Sequence, residues 1–253
     1  MNEIVSVSPY SEKTARVKIY NPNIAAKYRP GHFVIVKFSD DGVRVPFSIM
    51  DSDPDSGVID IIIHRADGLD EILRMLKPGE VLPHLLGPLG VPWNVPSGER
   101  ILFFGDGSGV VPLLPLIKAA RSAGCEIVSV LSEESSRTQC LRPEIEKECS
   151  RVDTVTDDNL LNIVLRHLQT SRVDRVVMSG PTLMMKSVAK ETAEHGIPAE
   201  CVLNMLMIDG IGLCGICRVV VGGERKKTCT DGPIFDAHQV DFDQMFNRQR
   251  LFV

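Results

Sequence analysis

Three cysteines near the end of the chain carry the clearest chemical signal in the sequence. Cys214 and Cys217 form a C-x2-C pair on a glycine-rich segment, and Cys229 follows after eleven residues. Thiolates at this spacing match most of a plant-type [2Fe–2S] site, in which a further ligand stands five residues before the C-x2-C pair. Asp209 occupies that position, and ferric iron accepts a carboxylate. The residues therefore predict a site with three thiolates and one carboxylate.

The glycines around these cysteines have a physical role in such a site. A loop that supplies two thiolates must wrap one edge of the cluster and point its backbone N–H groups at the sulfides. Gly210, Gly212 and Gly215 permit the positive φ angles that this loop requires. Two alternatives remain open: a Zn²⁺ ion held by the cysteines with Asp209 or His238 as the fourth ligand, and unligated core cysteines. The odd total of seven cysteines argues against a disulfide framework.

Length and composition describe an ordinary globular chain with room for two domains. The chain has 253 residues and a net charge of -5 at pH 7, which argues against a nucleic-acid-coating function. Its longest nearly apolar run covers only residues 110–117, whereas a membrane-spanning helix needs about twenty residues. The N-terminus has neither the basic nor the apolar region of a secretory signal. We therefore expect a cytoplasmic protein without nucleic-acid or membrane partners.

Residues 1–96 are predicted to form a small antiparallel β-barrel. Short alternating or β-branched runs, separated by turn residues, predict strands over 4–7, 15–19, 33–38, 45–49 and 58–64. One amphipathic helix is predicted over 69–76. The glycines and prolines from residue 87 to residue 98 indicate a boundary.

After this boundary the pattern of predicted elements changes. Strands predicted over 101–104, 127–131, 154–156, 175–178 and 199–205 alternate with helices predicted over 111–123, 143–148, 160–168 and 182–195. This alternation predicts a doubly wound parallel sheet over residues 97–205. Residues 206–253 fit neither pattern, contain a hairpin-like V-V-V-G-G turn at 219–223, and are predicted to form a small cluster-binding tail.

The C-terminal sequence resembles a known family. The segments NMLM at 204–207, DGIGLCGICRV at 209–219 and DGPIFDAHQVDF at 231–242 look like the small subunit of NADH-dependent reduced ferredoxin:NADP oxidoreductase. The sulfide dehydrogenase flavoprotein subunit is similar, as is, more distantly, the electron-transfer subunit of class 1B dihydroorotate dehydrogenase. The resemblance covers essentially the whole chain. It implies a ferredoxin-reductase-like fold with an FAD-binding barrel, an NAD(P)-binding α/β domain and a [2Fe–2S] tail.

The resemblance also implies a flavin site in the barrel. Residues 44–48 match the family's R-x-P/Y-x-S/T motif, and residues 87–90 match its G-P-L-G motif. Arg44 would pair with the FAD pyrophosphate, while Phe47 and Ser48 would lie against the isoalloxazine ring. A plain strand with a surface arginine is the alternative. The implied FAD-binding residues are Arg44, Val45, Pro46, Phe47, Ser48, Ile63, His64, Gly68, Gly87 and Leu89.

A pyridine-nucleotide site is implied in the α/β domain, where a glycine loop lies between a strand and a helix. Its residues are Gly105, Gly107, Gly109, Gly180, Pro181 and Met184. Ordinary turns and buried methionines are the alternative. The chain departs from two family motifs. Residues 67–70 read D-G-L-D in place of G-x-G-T, and the glycine loop expected after the T-D-D at 156–158 is missing.

Together these features predict an electron-transfer subunit of a flavin-containing redox complex, active in that complex. Electrons would pass as hydride between NAD(P)H and FAD, and singly from FAD to the cluster. The expected partner is a larger glutamate-synthase-like or dehydrogenase flavoprotein subunit, or a ferredoxin. No catalytic side chain is required. One alternative is an FAD/[2Fe–2S] electron wire that does not use NAD(P)H, and the other is a zinc-stapled structural adaptor.

Overall fold

The computed structural model describes residues 2–64, 69–132 and 136–250. Its N-terminal part has seven strands: β1 (Glu3–Ser11), β2 (Thr14–Tyr20), β3 (Phe33–Lys37), β4 (Val45–Ser48), β5 (Asp51–Asp53), β6 (Val58–His64) and β7 (His84–Leu89). Two short helices, α1 (Pro22–Ala25) and α2 (Asp70–Met75), lie between them. Antiparallel pairing gives one sheet in the order β1-β2-β6-β5 and a second in the order β4-β3-β7. The predicted antiparallel architecture is confirmed.

The three-stranded sheet has two faces with different neighbours. Along β3, Val34 and Val36 point into the barrel core, while Phe33 and Ile35 pack against the C-terminal part of the chain. Residues opposite each other in neighbouring strands share a face. The outer face is therefore formed by Phe33, Ile35, Pro46, Ser48, Leu86 and Leu89.

The central part is a doubly wound sheet, as predicted. Its strands are β8 (Arg100–Gly105), β9 (Glu126–Ser132), β10 (Arg151–Val155), β11 (Arg175–Ser179) and β12 (Ala199–Val202), and its helices are α3 (Val110–Ser122), α4 (Ser136–Glu148), α5 (Asp157–Thr170) and α6 (Thr182–Glu194). The strands pair in parallel in the order β10-β9-β8-β11-β12. Four of these strands are almost entirely buried because helices cover both faces of the sheet.

Several predicted elements in this part have different bounds in the structure. The helix predicted to start at Pro143 begins at Ser136, so the proline lies inside α4 and does not open it. The strand predicted to reach residue 205 ends at Val202. None of the helices in residues 2–64, 69–132 and 136–250 has the length and hydrophobicity to cross a membrane.

The C-terminal part is seated on both preceding parts. It contains β13 (Arg218–Val221), β14 (Glu224–Lys227), α7 (Thr228–Asp231), β15 (Ile234–Asp236) and α8 (Phe242–Gln249). Strands β13 and β14 form a hairpin, and β15 pairs antiparallel with β12 at the edge of the central sheet. Buried residues of this part share one core with Phe33 and Ile35 of the barrel and with helices α5 and α6.

Charged side chains also join the barrel to the central sheet. Arg16 on β2 forms an ion pair with Asp60 at 2.7 Å within the barrel and another with Glu144 of α4 at 3.4 Å. Lys118 of α3 reaches Asp51 of β5 at 3.1 Å. These partly buried pairs act together with the shared core to hold the two parts in one orientation.

Candidate iron–sulfur and flavin sites

The β13–β14 hairpin explains the eleven residues between Cys217 and Cys229. Two four-residue strands, a Gly222-Gly223 turn and Thr228 return the chain to its starting point. Thr228 donates hydrogen bonds from its backbone N (3.0 Å) and its Oγ1 (2.8 Å) to the carbonyl of Cys217. Both cysteines are 2% exposed, and the two thiols lie close enough for Cys217 to raise the pKa of Cys229. The hairpin therefore brings two predicted ligands together.

The other two predicted ligands lie on residues 209–214, within the segment 209–217 that we call the cluster loop. The Asp209 carboxylate accepts the backbone N–H of Cys214 on one oxygen and that of Ile211, at 3.0 Å, on the other. The Cys214 thiol lies beside this carboxylate and helps to lower its pKa. Gly210 adopts a φ of +71°, which allows the chain to turn back so tightly. Asp209 and Cys214 thus lie side by side.

The two ligand pairs are adjacent to each other. The backbone N–H of Gly212 lowers the pKa of both Asp209 and Cys229, one member of each pair, so it lies close to both. Burial and the neighbouring Cys217 together raise the pKa of the Cys229 thiol to about 12. Burial opposes the shift at Asp209, but the N–H groups of the loop lower the pKa of that carboxyl. At neutral pH Asp209 is therefore an anionic oxygen donor.

The four predicted ligands are arranged as two pairs. Within the part of the chain that the structure describes, no group of three or more His, Cys, Asp or Glu side chains could hold one metal ion. Mononuclear zinc needs four donors around one point, whereas a [2Fe–2S] cluster spreads its ligands over two irons. The pairs Asp209–Cys214 and Cys217–Cys229 fit the second arrangement. His238, the other candidate zinc ligand, contacts Thr192 at 3.0 Å.

Two arginines that are not among the predicted site residues border the cluster loop. Arg218 Nη1 donates to the carbonyl of Gly215 at 3.4 Å, and Arg248 Nη2 of α8 donates to that of Ile216 at 3.0 Å. Burial and the nearby Arg218 lower the pKa of Arg248. Positive charge beside the loop favours an anionic cluster. Arg218 directly follows a cysteine ligand in the sequence, but no sequence signal marks Arg248.

Several of the predicted flavin residues lie on strands β4 and β7, on either side of β3. Pro46 and Ser48 are on the outer face of this sheet, together with Leu89. Gly87 has a steric reason to be glycine, because a Cβ there would lie 2.7 Å from Cγ1 of Val34. Arg44 is exposed immediately before β4. The outer face and its border therefore hold four of the predicted flavin residues, Arg44, Pro46, Ser48 and Leu89, whereas Gly87 faces the barrel core.

The other predicted flavin residues do not lie on this face. Phe47 and Val45 point inward and pack in the barrel core, which is the orientation expected from alternation with Pro46. Ile63 is fully buried in the same core, and His64 is buried at the end of β6. Gly68 lies outside the described residues. An inward Phe47 gives no support to its expected contact with the isoalloxazine ring.

The predicted nucleotide site consists of the glycine loop at residues 105–109 and the turn at residues 180–184. These two segments meet at the carboxyl ends of β8 and β11. These neighbouring strands flank the point where the strand order reverses, which is where open α/β sheets bind ligands. The Asp106 backbone N donates to Ser179 O at 3.1 Å. A Cβ on Gly109 would lie 2.1 Å from the same oxygen, so this glycine serves backbone packing. The remaining members, Gly105, Gly107, Gly180, Pro181 and Met184, lie at these strand ends and at the start of α6.

The third nucleotide motif of the family has no counterpart in the structure's described segments. Helix α5 begins at Asp157, directly after its N-cap residue Thr156. Because the helix starts two residues after the end of β10, no residues remain between them for a glycine segment. The connection between β10 and α5 is therefore as short as the sequence indicates.

The barrel, the doubly wound sheet and the cysteine-bearing tail together define a ferredoxin-reductase-like electron-transfer protein. The fold is shared with the ferredoxin reductase of carbazole 1,9a-dioxygenase, which has a TM-score of 0.59 and 18% identity over 78% of this chain and 65% of that one. Residues 204–241 match the iron–sulfur cluster binding domain of dihydroorotate dehydrogenase B.

Full-length relatives identify the family. A homologue of the dihydroorotate dehydrogenase B electron transfer subunit from Thermotoga maritima is 32% identical over 98% of this chain and 90% of its own length. A solved structure of NADH-dependent reduced ferredoxin–NADP oxidoreductase superposes with a TM-score of 0.89 and 29% identity, covering 99% of this chain and 93% of that one. The chain belongs to the family of dihydroorotate dehydrogenase B electron-transfer subunits. The predicted flavin and iron–sulfur electron-transfer function is confirmed at this level.

Proposed function

We propose that this chain passes electrons between NAD(P)H, a bound FAD and a [2Fe–2S] cluster, and from the cluster to a larger partner subunit. The supporting observation is that two ligand pairs meet at a loop resting on the outer face of the β4-β3-β7 sheet. When bound, the flavin converts hydride transfer into single-electron transfer. Residues 1–96, 97–205 and 206–253 are assigned to the flavin, the nucleotide and the cluster respectively.

The chain's own residues have distinct tasks in this proposal. Asp209 and Cys214 hold one iron, and Cys217 and Cys229 hold the other. Backbone N–H groups of the cluster loop, held by positive-φ glycines, face the ligand atoms and stabilise negative charge there. Arg44 contributes its guanidinium to the FAD pyrophosphate. No residue is assigned a proton-transfer role.

Anaerobic titration with NADH and with NADPH tests this function. We expect one of the two nucleotides to bleach the flavin absorption and to produce the EPR signal of a reduced [2Fe–2S] cluster. The protein is purified with its co-purifying partners under exclusion of air, and dithionite reduction provides the control for full cluster reduction. Identification of those partners would distinguish a glutamate-synthase-like or dehydrogenase flavoprotein subunit from a ferredoxin.

A second candidate function is an electron wire that does not use pyridine nucleotide. The specific observation that favours it is the start of α5 at Asp157, together with Gly109 packed against Ser179. In this case neither nucleotide bleaches the flavin, while dithionite and the partner subunit still reduce the cluster. The same titration therefore separates the two functions.

The surface around the cluster loop supports a partner at this end of the molecule. Ile208 and Ile211 are about half exposed, and Leu213 is 82% exposed beside Cys214. Contiguous exposed apolar side chains typically mark protein interaction sites. We place the electron-accepting partner subunit here, which is why activity is expected in the complex.

Asp209 has two possible tasks, and a pair of variants separates them. Asp209→Cys should keep the cluster and shift its midpoint potential, because a thiolate donates more charge to iron than a carboxylate does. Asp209→Asn keeps an oxygen that can accept the Ile211 N–H but loses the negative charge, and should lower cluster content several-fold. Iron analysis, EPR spectra and redox titration measure both effects.

If Asp209 only caps the loop, the two variants should behave in the opposite order. The asparagine variant would then keep a wild-type cluster with an unchanged potential. The cysteine variant would be the more damaging, because a thiol accepts hydrogen bonds weakly.

A further inference from the structure

The cluster loop rests directly on the outer face of the β4-β3-β7 sheet at one residue. Gly210 is buried, and the space that its side chain would fill is already occupied by the barrel. A Cβ built there would lie 2.3 Å from Cδ1 of Ile35 and 2.9 Å from Cδ1 of Leu89. Ordinary contacts of this kind are 3.4–4 Å long. The backbone of the loop is therefore seated closer to the barrel than any side chain would permit.

The barrel residues in this contact cannot easily move to make room for a side chain at residue 210. The two contacting atoms are side-chain ends, but Ile35 is only 2% exposed and belongs to the core shared by all three parts of the chain. A different rotamer of Ile35 must fit into a core that is already packed, which is costly. Leu89 packs against the same core.

The contact joins the cluster loop to the strands of the flavin site. Ile35 lies opposite Pro46 on β4 and opposite Leu86 on β7. Leu89 is itself one of the predicted flavin residues. Any displacement of the loop away from Ile35 therefore increases the separation between the flavin face and the three predicted cluster ligands on the loop, Asp209, Cys214 and Cys217.

Another glycine of the same loop shows that this packing is specific to Gly210. Gly215 has a φ of +65°, close to the +71° of Gly210. A Cβ on Gly215 would approach nothing closer than Nη1 of Arg218 at 3.9 Å. Alanine at either position suffers the same backbone strain, but only alanine at 210 collides with the barrel.

We propose that Gly210 is a positioning residue for electron transfer, because its missing side chain lets the cluster loop rest on Ile35 and Leu89 and so fixes the distance from flavin to cluster. This inference rests on the proposed function, in which electrons travel between those two sites. It predicts that a single methyl group at residue 210 changes the transfer step without removing a ligand.

The test compares Gly210→Ala with Gly215→Ala in the full chain purified with its partner. The first readout is hydrogen exchange of the loop amides, including those of Ile211 and Cys214. The second is the rate at which the cluster is reduced after the flavin, normalised to iron content. Gly210→Ala should exchange faster than Gly215→Ala and should slow cluster reduction several-fold, because electron transfer slows as the distance between donor and acceptor grows.

Rescue from the barrel side completes the test. Ile35→Val removes Cδ1 and leaves Cγ1 at 3.3 Å from the new Cβ, while Cδ1 of Leu89 remains at 2.9 Å. Gly210→Ala with Ile35→Val should therefore recover part of the slow exchange and of the fast reduction. In a protein with the wild-type loop, Ile35→Ala removes part of the barrel surface on which Gly210 rests and should also slow electron transfer. This variant tests the proposal even if Gly210→Ala fails to fold.

Equal behaviour of the two alanine variants, or absence of rescue by Ile35→Val, would overturn the proposal. Wild-type protein that lacks iron and sulfide would instead contradict the proposed function. The exchange readout does not need the cofactors, so the two failures remain distinguishable.

Discussion

Substitution of Cys217 by serine is expected to abolish the iron–sulfur cluster and leave the flavin bound. Cys217 is one of two buried thiols at the base of the β13–β14 hairpin, and its loss leaves one iron with a single protein ligand, Cys229. The hairpin itself should persist, because Thr228 bonds to the backbone carbonyl of residue 217 and not to its sulfur. Iron and acid-labile sulfide should fall to background, and the EPR signal after reduction should disappear.

The matched control is Cys140→Ser. Cys140 lies on α4, is partly buried and belongs to neither ligand pair, so this variant should keep wild-type iron content and absorption. A Cys217→Ser protein that retained the wild-type cluster would exclude Cys217 as a ligand. A wild-type preparation that contained zinc without iron, and no visible absorption, would favour the structural adaptor.

The arrangement of the four predicted cluster ligands as two pairs follows from the sequence because each pair is formed locally. A hairpin of two short strands with a Gly-Gly turn sets the distance between Cys217 and Cys229, and a five-residue turn sets that between Asp209 and Cys214. Turn residues and spacing encode both arrangements. The order of barrel, parallel sheet and tail is likewise visible in the change from period-two runs to alternating strands and helices.

Long-range packing could not be predicted in the same way. The contact between Gly210 and Ile35 joins residues far apart in sequence, and glycine at 210 is also explained by its positive φ alone. Likewise, the pairing of β15 with β12 attaches the tail to the central sheet. Nothing in the sequence of residues 234–236 identifies β12 as the strand with which they pair. Such contacts depend on how complete elements dock, which periodicity does not encode.

Resemblance to a family identifies positions but not the direction of each side chain. The motif at residues 44–48 names five flavin residues, yet a strand can present only alternate residues to one face. Register therefore places Pro46 and Ser48 on the outer face and turns Val45 and Phe47 into the barrel. Of the five motif residues, only Pro46, Ser48 and the exposed Arg44 therefore lie where they could contact a ligand.

Replacement of Arg44 by glutamine should weaken FAD binding by roughly ten- to a hundredfold. The loss of one charge-assisted hydrogen bond to the pyrophosphate costs about 1.5–3 kcal/mol, and 1.4 kcal/mol corresponds to a tenfold change in Kd. Arg44 is exposed, so its removal should leave the barrel core intact. Titration of flavin-depleted protein with FAD, followed by flavin fluorescence, measures the change.

Two further variants serve as controls for the measurement of FAD binding. Arg44→Lys keeps the charge but not the planar fork and should show an intermediate Kd. Arg225→Gln removes an exposed arginine from the β13–β14 hairpin and should bind FAD like the wild type. If Arg44→Gln binds FAD as tightly as Arg225→Gln, Arg44 is an ordinary surface arginine. The pyrophosphate must then be held by other residues, such as those around the family's second flavin motif, which is altered to D-G-L-D at residues 67–70.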